Sequence, residues 1–540
     1  MLLELSSDKF FTFGEKRKKI VFKKGLNIVT GDDNKSNSIG KSTFLMIIDF
    51  CFGGKDYIDK GKDIVANIGH HVINFAFDFE GEIYYFSRNT STPNIVNVCD
   101  KSYRILEGRD LDVKSFTSLL KSMYKLEINL SFRDIISKYF RVYGRDVTKE
   151  SKPLAVGNEA EDKSVKRLLK LYNYDFSQME KKVDTEVEKK NIFRKSINSG
   201  IQERIGKREY DKNNKLIEQK QNEVLELSEN FIGTHEAEQI ANLKLELSQL
   251  KRQKNKIEME KAITIENRSQ LYFDEEEAIK FFPNIDVKKI SQIENFHKNI
   301  TNILKSEIDE EIKQKQSVLN DINNQIKNIE DRLSQFSSFK DISRKQLIFV
   351  QEAQQLVDEL ESKNKIYVQE VELKESSVKA IDDLNDMLEK PIEEISNRIN
   401  QSLKNYNSII FHSKDRISPK INFKLNKMKK WMYDFKTEND TGTGAAFKSM
   451  ILLDLTILKE TVLPAVAHDS FLFTDIENST VCEIVKIYNQ FSKQIFVALT
   501  DKVSYGDPEA GRIIKEKEVL YLSANGNELF GESWKTERKK

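Results

Sequence analysis

The feature that most constrains this chain is a stretch without glycine that runs from Thr234 through Thr441. No proline lies between Pro153 and Pro283, or between Pro283 and Pro391. Glycine and proline are the two residues least compatible with a helix interior. Because both are so sparse here, the middle of the chain can form very long helices.

Aliphatic residues in this region recur at spacings of three and four, which is the pattern of a coiled-coil seam. The first series is Ile240, Leu243, Leu247, Leu250 and Ile257. The second series is Ile312, Leu319, Ile322, Ile326, Ile329 and Leu333. Residues 271–296 lie between them, lack heptads and contain Phe-Phe-Pro. We predict an outgoing and a returning helix that turn round there, with Gly233 as a further candidate joint or fold-back point in the outgoing arm.

The two ends of the chain have a different pattern, with short apolar or alternating runs that predict strands. Examples before the helices are GLNIVTG (25–31) and HVINFAFDF (71–79), and examples after them are QIFVALTD (494–501) and EVLYLS (518–523). Helical segments separate these runs, so both ends are predicted to be α/β. Neither end has enough strands to close a sheet alone, which favours one domain assembled from both ends.

The strongest local motif is NSIGKST, residues 37–43, between a strand-like run and the apolar segment FLMIIDFCF. This strand–loop–helix order is that of a P-loop, whose backbone N–H groups hold phosphates at a helix N-terminus. The predicted nucleotide-binding residues are Asn37, Ser38, Ile39, Gly40, Lys41, Ser42 and Thr43. Among them, Lys41 would reach the β- and γ-phosphates and Ser42 would ligate Mg²⁺.

The P-loop spacing is irregular, because Lys35 stands where the motif has its first glycine and Gly31 lies four residues further upstream. A chance Gly-Lys-Ser turn is the alternative interpretation of the motif. The flanking strand and helix favour nucleotide binding.

Two further motifs lie in the C-terminal part of the chain. AVAHDS (465–470) is a run of small apolar residues that would deliver Asp469 to the magnesium shell from the end of a buried strand. TGTGAAFKS (441–449) precedes a helical segment and predicts an anion-binding helix terminus. A flexible loop with a helix cap is the simpler alternative for the second motif.

Taken together, these motifs resemble those of the SMC/RecN/RecF-type ABC ATPases, which carry a coiled-coil arm. More closely, NSIGKSTFLMIIDFCFGG, FFPNID and LPAVAHDSFLF resemble an uncharacterised bacterial family of coiled-coil ATPases from multi-component anti-phage defence operons. The resemblance implies an ABC-type P-loop ATPase head, α/β in class, split between N- and C-terminal lobes and joined by a long antiparallel coiled coil. It also implies ATP and Mg²⁺ as ligands.

The resemblance further implies roles for individual residues. Thr443 and Gly444 would contact the γ-phosphate of ATP held by a second head, because ABC heads dimerise around nucleotide. Asp475 would fall in the loop after the magnesium-binding strand, and Arg88 is similar to an arginine near the phosphates. A solvated arginine at the end of a strand is the alternative for Arg88.

The sequence departs from the ATPase pattern at two positions. Ser470 stands where these ATPases have a glutamate that positions water, and Thr500 and Asp501 stand where they have a histidine. The predicted catalytic residues are therefore His468, Asp469 and Asp501, and Asp475 is a further candidate for orienting water. These departures concern ATP hydrolysis and leave the prediction of ATP binding unchanged.

Five regions are predicted from these observations. They are an N-terminal ATPase lobe (1–175), an outgoing arm (176–270), an apex (271–300), a returning arm (301–398) and a C-terminal ATPase lobe (399–540).

The overall charge limits the partners. With 87 basic and 86 acidic residues the chain has no bulk field that favours nucleic acid, so DNA binding would need a local patch such as Lys427, Lys429 and Lys430. No signal peptide or membrane span is recognised, and we expect a cytoplasmic protein without membrane contacts.

Three functions remain open at this point. One is an ATPase that dimerises through its heads, senses double-stranded DNA and controls an effector. Another is a scaffold that binds ATP with little hydrolysis and releases a partner such as a nuclease. The last is a coiled-coil structural protein with a degenerate P-loop. Effector and accessory subunits from the same operon are the partners that the resemblance implies.

Overall fold

The structure is a computed structural model of the 540-residue chain. It describes residues 1–32, 39–147, 149–199, 202–229, 235–270, 287–334, 344–440, 442–500 and 506–533. The chain divides into two compact units. The first combines Met1–Ser177 with Asn385–Lys540, and the second is Gln178–Leu384. Both ends of the chain therefore belong to one unit.

The α-helices in the described residues have the following bounds. They are α1 (Lys41–Cys51), α2 (Asp56–Lys60), α3 (Lys62–Ile68), α4 (Val113–Met123), α5 (Phe132–Ile136), α6 (Glu161–Leu171), α7 (Ser177–Asn198), α8 (Lys207–Glu229), α9 (His235–Gln270), α10 (Val287–Leu333), α11 (Arg344–Phe411), α12 (Thr443–Glu460), α13 (Asn478–Asn489) and α14 (Pro508–Lys517). No helix in these ranges is apolar over enough of its length to cross a bilayer.

The strands lie in the first unit. They are β1 (Leu2–Ser7), β2 (Phe11–Thr12), β3 (Glu15–Lys16), β4 (Ile20–Val21), β5 (Leu26–Gly31), β6 (Val72–Phe79), β7 (Glu82–Asn89), β8 (Ile95–Cys99), β9 (Ile105–Asp112), β10 (Phe140–Arg141), β11 (Lys420–Leu425), β12 (Trp431–Lys436), β13 (Ala465–His468), β14 (Gln494–Ala498) and β15 (Glu518–Leu522).

A five-stranded sheet draws on both ends of the chain, in the order β10-β13-β14-β5-β15. All four pairings in it are parallel. Every residue of β5, β13 and β14 is buried, as expected for parallel strands covered on both faces. Because β5 comes from the N-terminal segment and its neighbours from the C-terminal segment, neither segment forms this sheet alone.

A six-stranded antiparallel sheet completes the N-terminal part, in the order β4-β1-β6-β7-β8-β9. Its inner face is aromatic, and the rings of Phe75 and Phe86 contact that of Phe116 on α4. Helix α4 starts where the Asp112 side chain accepts a hydrogen bond from the Ser115 N–H, a standard N-cap. Strands β11 and β12 form a separate antiparallel hairpin.

The second unit is helical, and ion pairs show the directions of its helices. Those between α9 and α10 are Lys251 to Glu330 (3.3 Å), Glu260 to Lys315 (3.3 Å) and Arg268 to Asp309 (2.9 Å). The residue number falls on α10 as it rises on α9, so these helices are antiparallel. Buried positions on α10 include Leu319, Ile322, Ile326 and Ile329 of the second heptad series.

Helix α11 packs against both α8 and α9. Its contacts with α8 are the stacked rings of Tyr367 and Tyr210 (4.6 Å between centroids) and Asn364 to Asn213 (3.0 Å), and those with α9 are Glu372 to Lys261 (2.8 Å) and Glu375 to Arg268 (3.5 Å). The residue numbers run in opposite directions for α8 and in the same direction for α9. Helix α8 is therefore antiparallel to both α9 and α11.

This helix order differs from the single outgoing and returning pair expected from the heptads. The chain reverses between α8 and α9, between α9 and α10, and between α10 and α11, and the first reversal falls in the interval that contains the candidate fold-back point Gly233. Gly233 and residues 271–286 of the predicted apex lie outside the described residues. Heptads mark which side of a helix is apolar but not its partner. A bundle of several helices buries that stripe more completely than a pair does.

Candidate functional site

The predicted phosphate- and magnesium-binding segments meet at one edge of the parallel sheet. Strands β5, β13 and β14 are parallel neighbours, so their carboxyl ends lie at the same edge. Gly31 ends β5, and Asp469 directly follows β13. One strand separates these two, which corresponds to about 10 Å at the usual strand spacing. Open parallel sheets commonly bind ligands at this edge.

Lys41 begins α1 and extends back over the end of β5. A Cβ atom on Gly31 would lie 2.8 Å from the Lys41 Nζ and 2.7 Å from the Ile39 Cδ1. A side chain at position 31 would therefore require the ends of the Lys41 and Ile39 side chains to shift. Burial lowers the pKa of Lys41, while the charges of Asp469 and Asp32 act to raise it. The Lys41 ammonium therefore lies within the electrostatic reach of Asp469.

Gly40 precedes this helix in a left-handed conformation, with φ of 99°. Its carbonyl oxygen accepts the N–H of Phe44 at 2.8 Å, and the carbonyl of Ile39 accepts the N–H of Leu529 at 3.0 Å. The C-terminal segment thus holds the end of the predicted P-loop. Asn37 and Ser38 lie outside the described residues.

Asp469 is fully buried, and backbone groups fix its carboxylate. Oδ2 accepts the N–H of Tyr143 at 3.0 Å, and Oδ1 accepts the N–H of Ser470 at 2.7 Å. The backbone N–H of Asp469 donates to the carbonyl of Arg141 at 3.0 Å. The carboxylate is thereby held rigidly at the end of β13, the position predicted for the magnesium-binding residue.

The described residues can supply the protein part of a magnesium–nucleotide site. They contain no group of three or more His, Cys, Asp or Glu side chains that could hold a metal. Mg²⁺, however, commonly takes one or two protein ligands and completes its shell with phosphates and water. Ser42 and Asp469 could supply that protein part, and Lys41 with the partly buried first turn of α1 suits phosphate.

His468 has structural partners rather than access to the sheet edge. Its Nδ1 lies 2.6 Å from the hydroxyl of Tyr488, and its Nε2 lies 3.1 Å from Oδ2 of Asp454. All three residues are fully buried. Both ring nitrogens are engaged, so this geometry does not favour His468 as the group that orients water. Asp501, the other candidate beside Asp469, lies outside the described residues.

Thr443 and Gly444 lie in the first turn of α12, and Thr443 is exposed. A Cβ atom on Gly444 would lie 2.1 Å from the carbonyl oxygen of Asp475, so the helix start packs directly on the loop after Asp469. Among the described residues, no hydrogen bond joins Thr443 or Gly444 to Lys41. The structure thus ties this motif to the Asp469 segment and leaves Thr443 exposed at the start of the helix.

Arg88 is neither solvated nor near the phosphate-binding end of α1. Its guanidinium donates to the carbonyls of Phe50 (2.7 Å) and Gly54 (2.8 Å), at the C-terminal end of that helix. It also lies 3.7 Å from the centre of the Phe50 ring. Burial lowers its pKa to about 10. The side chain caps carbonyl groups at the end of the helix opposite Lys41.

Sequence reasoning missed Arg141 and Tyr143. Arg141 is fully buried and makes a bidentate pair with Asp454, with nitrogen–oxygen distances of 2.8 and 2.7 Å. Burial acts to raise the pKa of the Asp454 carboxylate. The interactions with Arg141 and His468 have a larger effect in the opposite direction, so the pKa of Asp454 is lowered. Strand β10 is only two residues long. A period-two pattern cannot be recognised over that length, so no signal marked these residues.

One protein family is similar to the C-terminal part of the chain. A family model described as "Uncharacterised protein conserved in bacteria (DUF2326)" matches residues 395–534. No curated protein matches the chain significantly.

Several solved structures of SMC heads are similar in outline. The Smc head domain with a coiled coil and joint from Pyrococcus yayanosii has a TM-score of 0.45 and 12% identity, covering 98% of this chain and 96% of that one. The Smc head domain with an extended coiled coil from Pyrococcus furiosus, bound to the C-terminal domain of ScpA, gives 0.41 and 11%, covering 98% and 94%. An SmcHead bound to the C-winged helix domain of ScpA gives 0.39 and 9%, covering 93% and 90%. TM-scores below 0.5 do not by themselves establish a shared fold.

Proposed function

We propose that this chain is the ATP-binding head of an SMC-like ATPase and holds ATP with Mg²⁺ where β5 and β13 end. The observation that carries the proposal is the convergence of Lys41 and Asp469 from opposite ends of the chain. Burial of the Lys41 ammonium with Asp469 as its strongest charge partner suits a site that receives a polyanion and a cation together. A chance Gly-Lys-Ser turn would not require this arrangement.

Each residue of the site would have a separate task. Lys41 would neutralise phosphate charge, and the N–H groups at the start of α1 would donate hydrogen bonds to phosphate oxygens. Ser42 and Asp469 would hold the magnesium ion, which supplies charge neutralisation at the transferring phosphate when bound. The backbone hydrogen bonds to Asp469 would keep its carboxylate in place without side-chain rearrangement.

Hydrolysis by this head is proposed to be slow. The residue after Asp469 is Ser470, whose hydroxyl lies 3.3 Å from Oδ1 of Asp469, so no carboxylate is available there to orient water. His468 is engaged by Asp454 and Tyr488. These observations favour an ATP-dependent scaffold over a fast ATPase.

Contact between the start of α12 and the ATP held by a second copy of the chain would give a homodimer of heads. The outward position of Thr443 at the start of α12 supports this part of the proposal. Control of an effector such as a nuclease, accessory subunits and a role in anti-phage defence rest on the resemblance described from the sequence.

Engagement of double-stranded DNA is supported by the β11–β12 hairpin. Its charged residues are Lys420, Lys424, Lys427, Lys429, Lys430, Lys436 and the single acid Asp434. Lys420 stands directly opposite Lys436 on the exposed face, and no ion pair of the described residues neutralises either. Like charges directly opposite each other destabilise a sheet. A phosphate backbone would relieve that repulsion.

The decisive experiment is to measure the binding of a fluorescent ATP analogue with Mg²⁺ to the full chain, its Lys41→Ala variant and a Lys121→Ala control. Lys121 is also partly buried but donates to the carbonyl of Ile128. We expect Lys41→Ala to weaken binding at least tenfold and Lys121→Ala to leave it unchanged. Equal affinities for all three proteins would refute nucleotide binding at this site.

Phosphate release by the same proteins, with and without DNA, separates the functions. Turnover that DNA stimulates and Lys41→Ala abolishes would support an ATPase. Tight binding with negligible turnover would support the scaffold.

A further inference from the structure

A buried network of charged and polar side chains connects helix α12 to the segment that carries Asp469. At its centre is Asp454, in the middle of α12. Its carboxylate accepts two hydrogen bonds from Arg141 on β10 and lies 3.1 Å from Nε2 of His468 on β13. All of these side chains are fully buried. The network thus joins one helix to two adjacent strands.

Both strands lead directly to the candidate magnesium site. The carbonyl of Arg141 accepts the N–H of Asp469, and two residues later the N–H of Tyr143 donates to the Asp469 carboxylate. His468 is the residue immediately before Asp469. The groups that fix Asp469 therefore belong to the same short segments as the partners of Asp454.

Arg141 also holds the loop that follows β10. Its guanidinium donates to the carbonyl of Pro153 at 2.8 Å and to that of Val147. A buried ion pair of this kind is weak evidence for stability, because well-packed apolar residues often replace one without loss. Its specific consequence is geometric, since neither charge can move away from the other without being left unpaired in the interior.

The start of α12 is tied to the same segment a second time, through the contact of Gly444 with the carbonyl of Asp475. A displacement of α12 must therefore move Arg141 and His468, and through them Asp469.

We propose that Asp454 is a positioning residue that couples the position of helix α12 to the magnesium affinity of Asp469. The inference rests on the proposed nucleotide site and adds a regulatory connection to it. Contacts made at the outward-facing start of α12 would change how tightly Mg²⁺ is held with ATP. By linkage, bound Mg²⁺ would change the affinity of those contacts by the same factor.

The test compares Asp454→Asn with Thr456→Val in the full chain. Thr456 is a matched control, because it is fully buried on the same helix and its hydroxyl donates only to the carbonyl of Leu452 at 2.8 Å. The readouts are the affinity for a fluorescent ATP analogue without Mg²⁺, and the Mg²⁺ concentration that gives half-maximal tightening of binding. A role in stability alone would not shift the second value.

For Asp454→Asn we expect an unchanged affinity without Mg²⁺ and a requirement for about tenfold more Mg²⁺, as is typical when a residue behind a metal ligand is changed. Gly444→Ala displaces the start of α12 from Asp475 and should shift the Mg²⁺ requirement in the same direction. If Asp454→Asn does not fold, Tyr488→Phe removes only the hydroxyl contact to His468 and should give a smaller shift of the same sign.

A wild-type Mg²⁺ dependence in Asp454→Asn, or in Tyr488→Phe if that variant has to take its place, would overturn the inference while leaving the proposed function intact. An equal shift in Thr456→Val would also overturn it. A wild-type chain that shows no Mg²⁺-dependent ATP binding would instead defeat the proposed function, and this inference with it.

Discussion

Replacing Gly40 with alanine tests how the C-terminal segment holds the phosphate-binding loop. Gly40 has φ of 99°, and a Cβ atom there would lie 2.6 Å from the Cβ of Leu529. Leu529 cannot simply withdraw, because it is almost fully buried and its N–H donates to the carbonyl of Ile39. The substitution therefore imposes both backbone strain and a steric conflict next to Lys41.

The two costs can be estimated separately. A left-handed conformation costs a non-glycine residue about 1–2 kcal/mol. Adding a carbon atom to a packed contact costs about 1–3 kcal/mol. Gly40→Ala should thus destabilise the folded chain by about 2–5 kcal/mol, unless the loop moves and thereby relieves part of that cost. Movement of the loop would displace Lys41, and a loss of about 1.4 kcal/mol in binding already corresponds to tenfold weaker affinity.

The assay combines thermal unfolding with binding of a fluorescent ATP analogue. Gly14→Ala is the matched control, because Gly14 also has a positive φ (83°) but no atom within 4 Å of its added Cβ. We expect Gly14→Ala to be destabilised only by the backbone strain and to bind nucleotide normally. Gly40→Ala should lose more stability and bind at least tenfold more weakly.

A double variant isolates the contact itself. In Gly40→Ala/Leu529→Gly the Cβ atom of residue 529 is absent and the steric conflict is removed, so the double variant should be more stable than the sum of the single costs implies, by about 1 kcal/mol or more. Strict additivity, together with equal ATP affinity in Gly40→Ala and Gly14→Ala, would refute the reasoning that Leu529 holds this loop.

Two further predictions concern charge. Lys448 is 4% exposed and burial lowers its pKa to about 8 from 10.5, a difference worth about 3 kcal/mol of stability at neutral pH. Because its folded-state pKa is lowered, this cost is complete below pH 8 and disappears as the pH rises to 10.5. Lys448→Met should therefore raise the melting temperature at pH 7, with a smaller gain at pH 10; a pH-independent gain would contradict this assignment. In the hairpin, Lys420→Glu/Lys436→Glu should weaken binding of duplex DNA at low salt without changing ATP affinity, whereas Lys101→Glu/Lys114→Glu should not; equal effects would point to a nonspecific charge response.

The sequence by itself determined the features that depend on neighbouring residues. The strand, glycine-lysine-serine loop and helix around Lys41 are contiguous, so local propensity and the phosphate-binding pattern were enough to predict them. The heptads likewise predicted long helices, because their spacing reflects the periodicity of one helix. The small apolar run that ends at Asp469 identified a buried strand, as the structure also has it.

Only the tertiary structure decided which segments lie together. The order of strands in the parallel sheet places Asp469 near Lys41, and no local pattern encodes that order. The same holds for the packing of α11 against both α8 and α9, since an apolar stripe does not specify its partner. Histidine and arginine are residue types that are common at functional sites. Packing nevertheless directs His468 toward Asp454, and Arg88 toward the end of α1 opposite Lys41. The physical reason is common to all of these cases: long-range packing and burial select the partners of a side chain, whereas sequence periodicity records only its immediate neighbours.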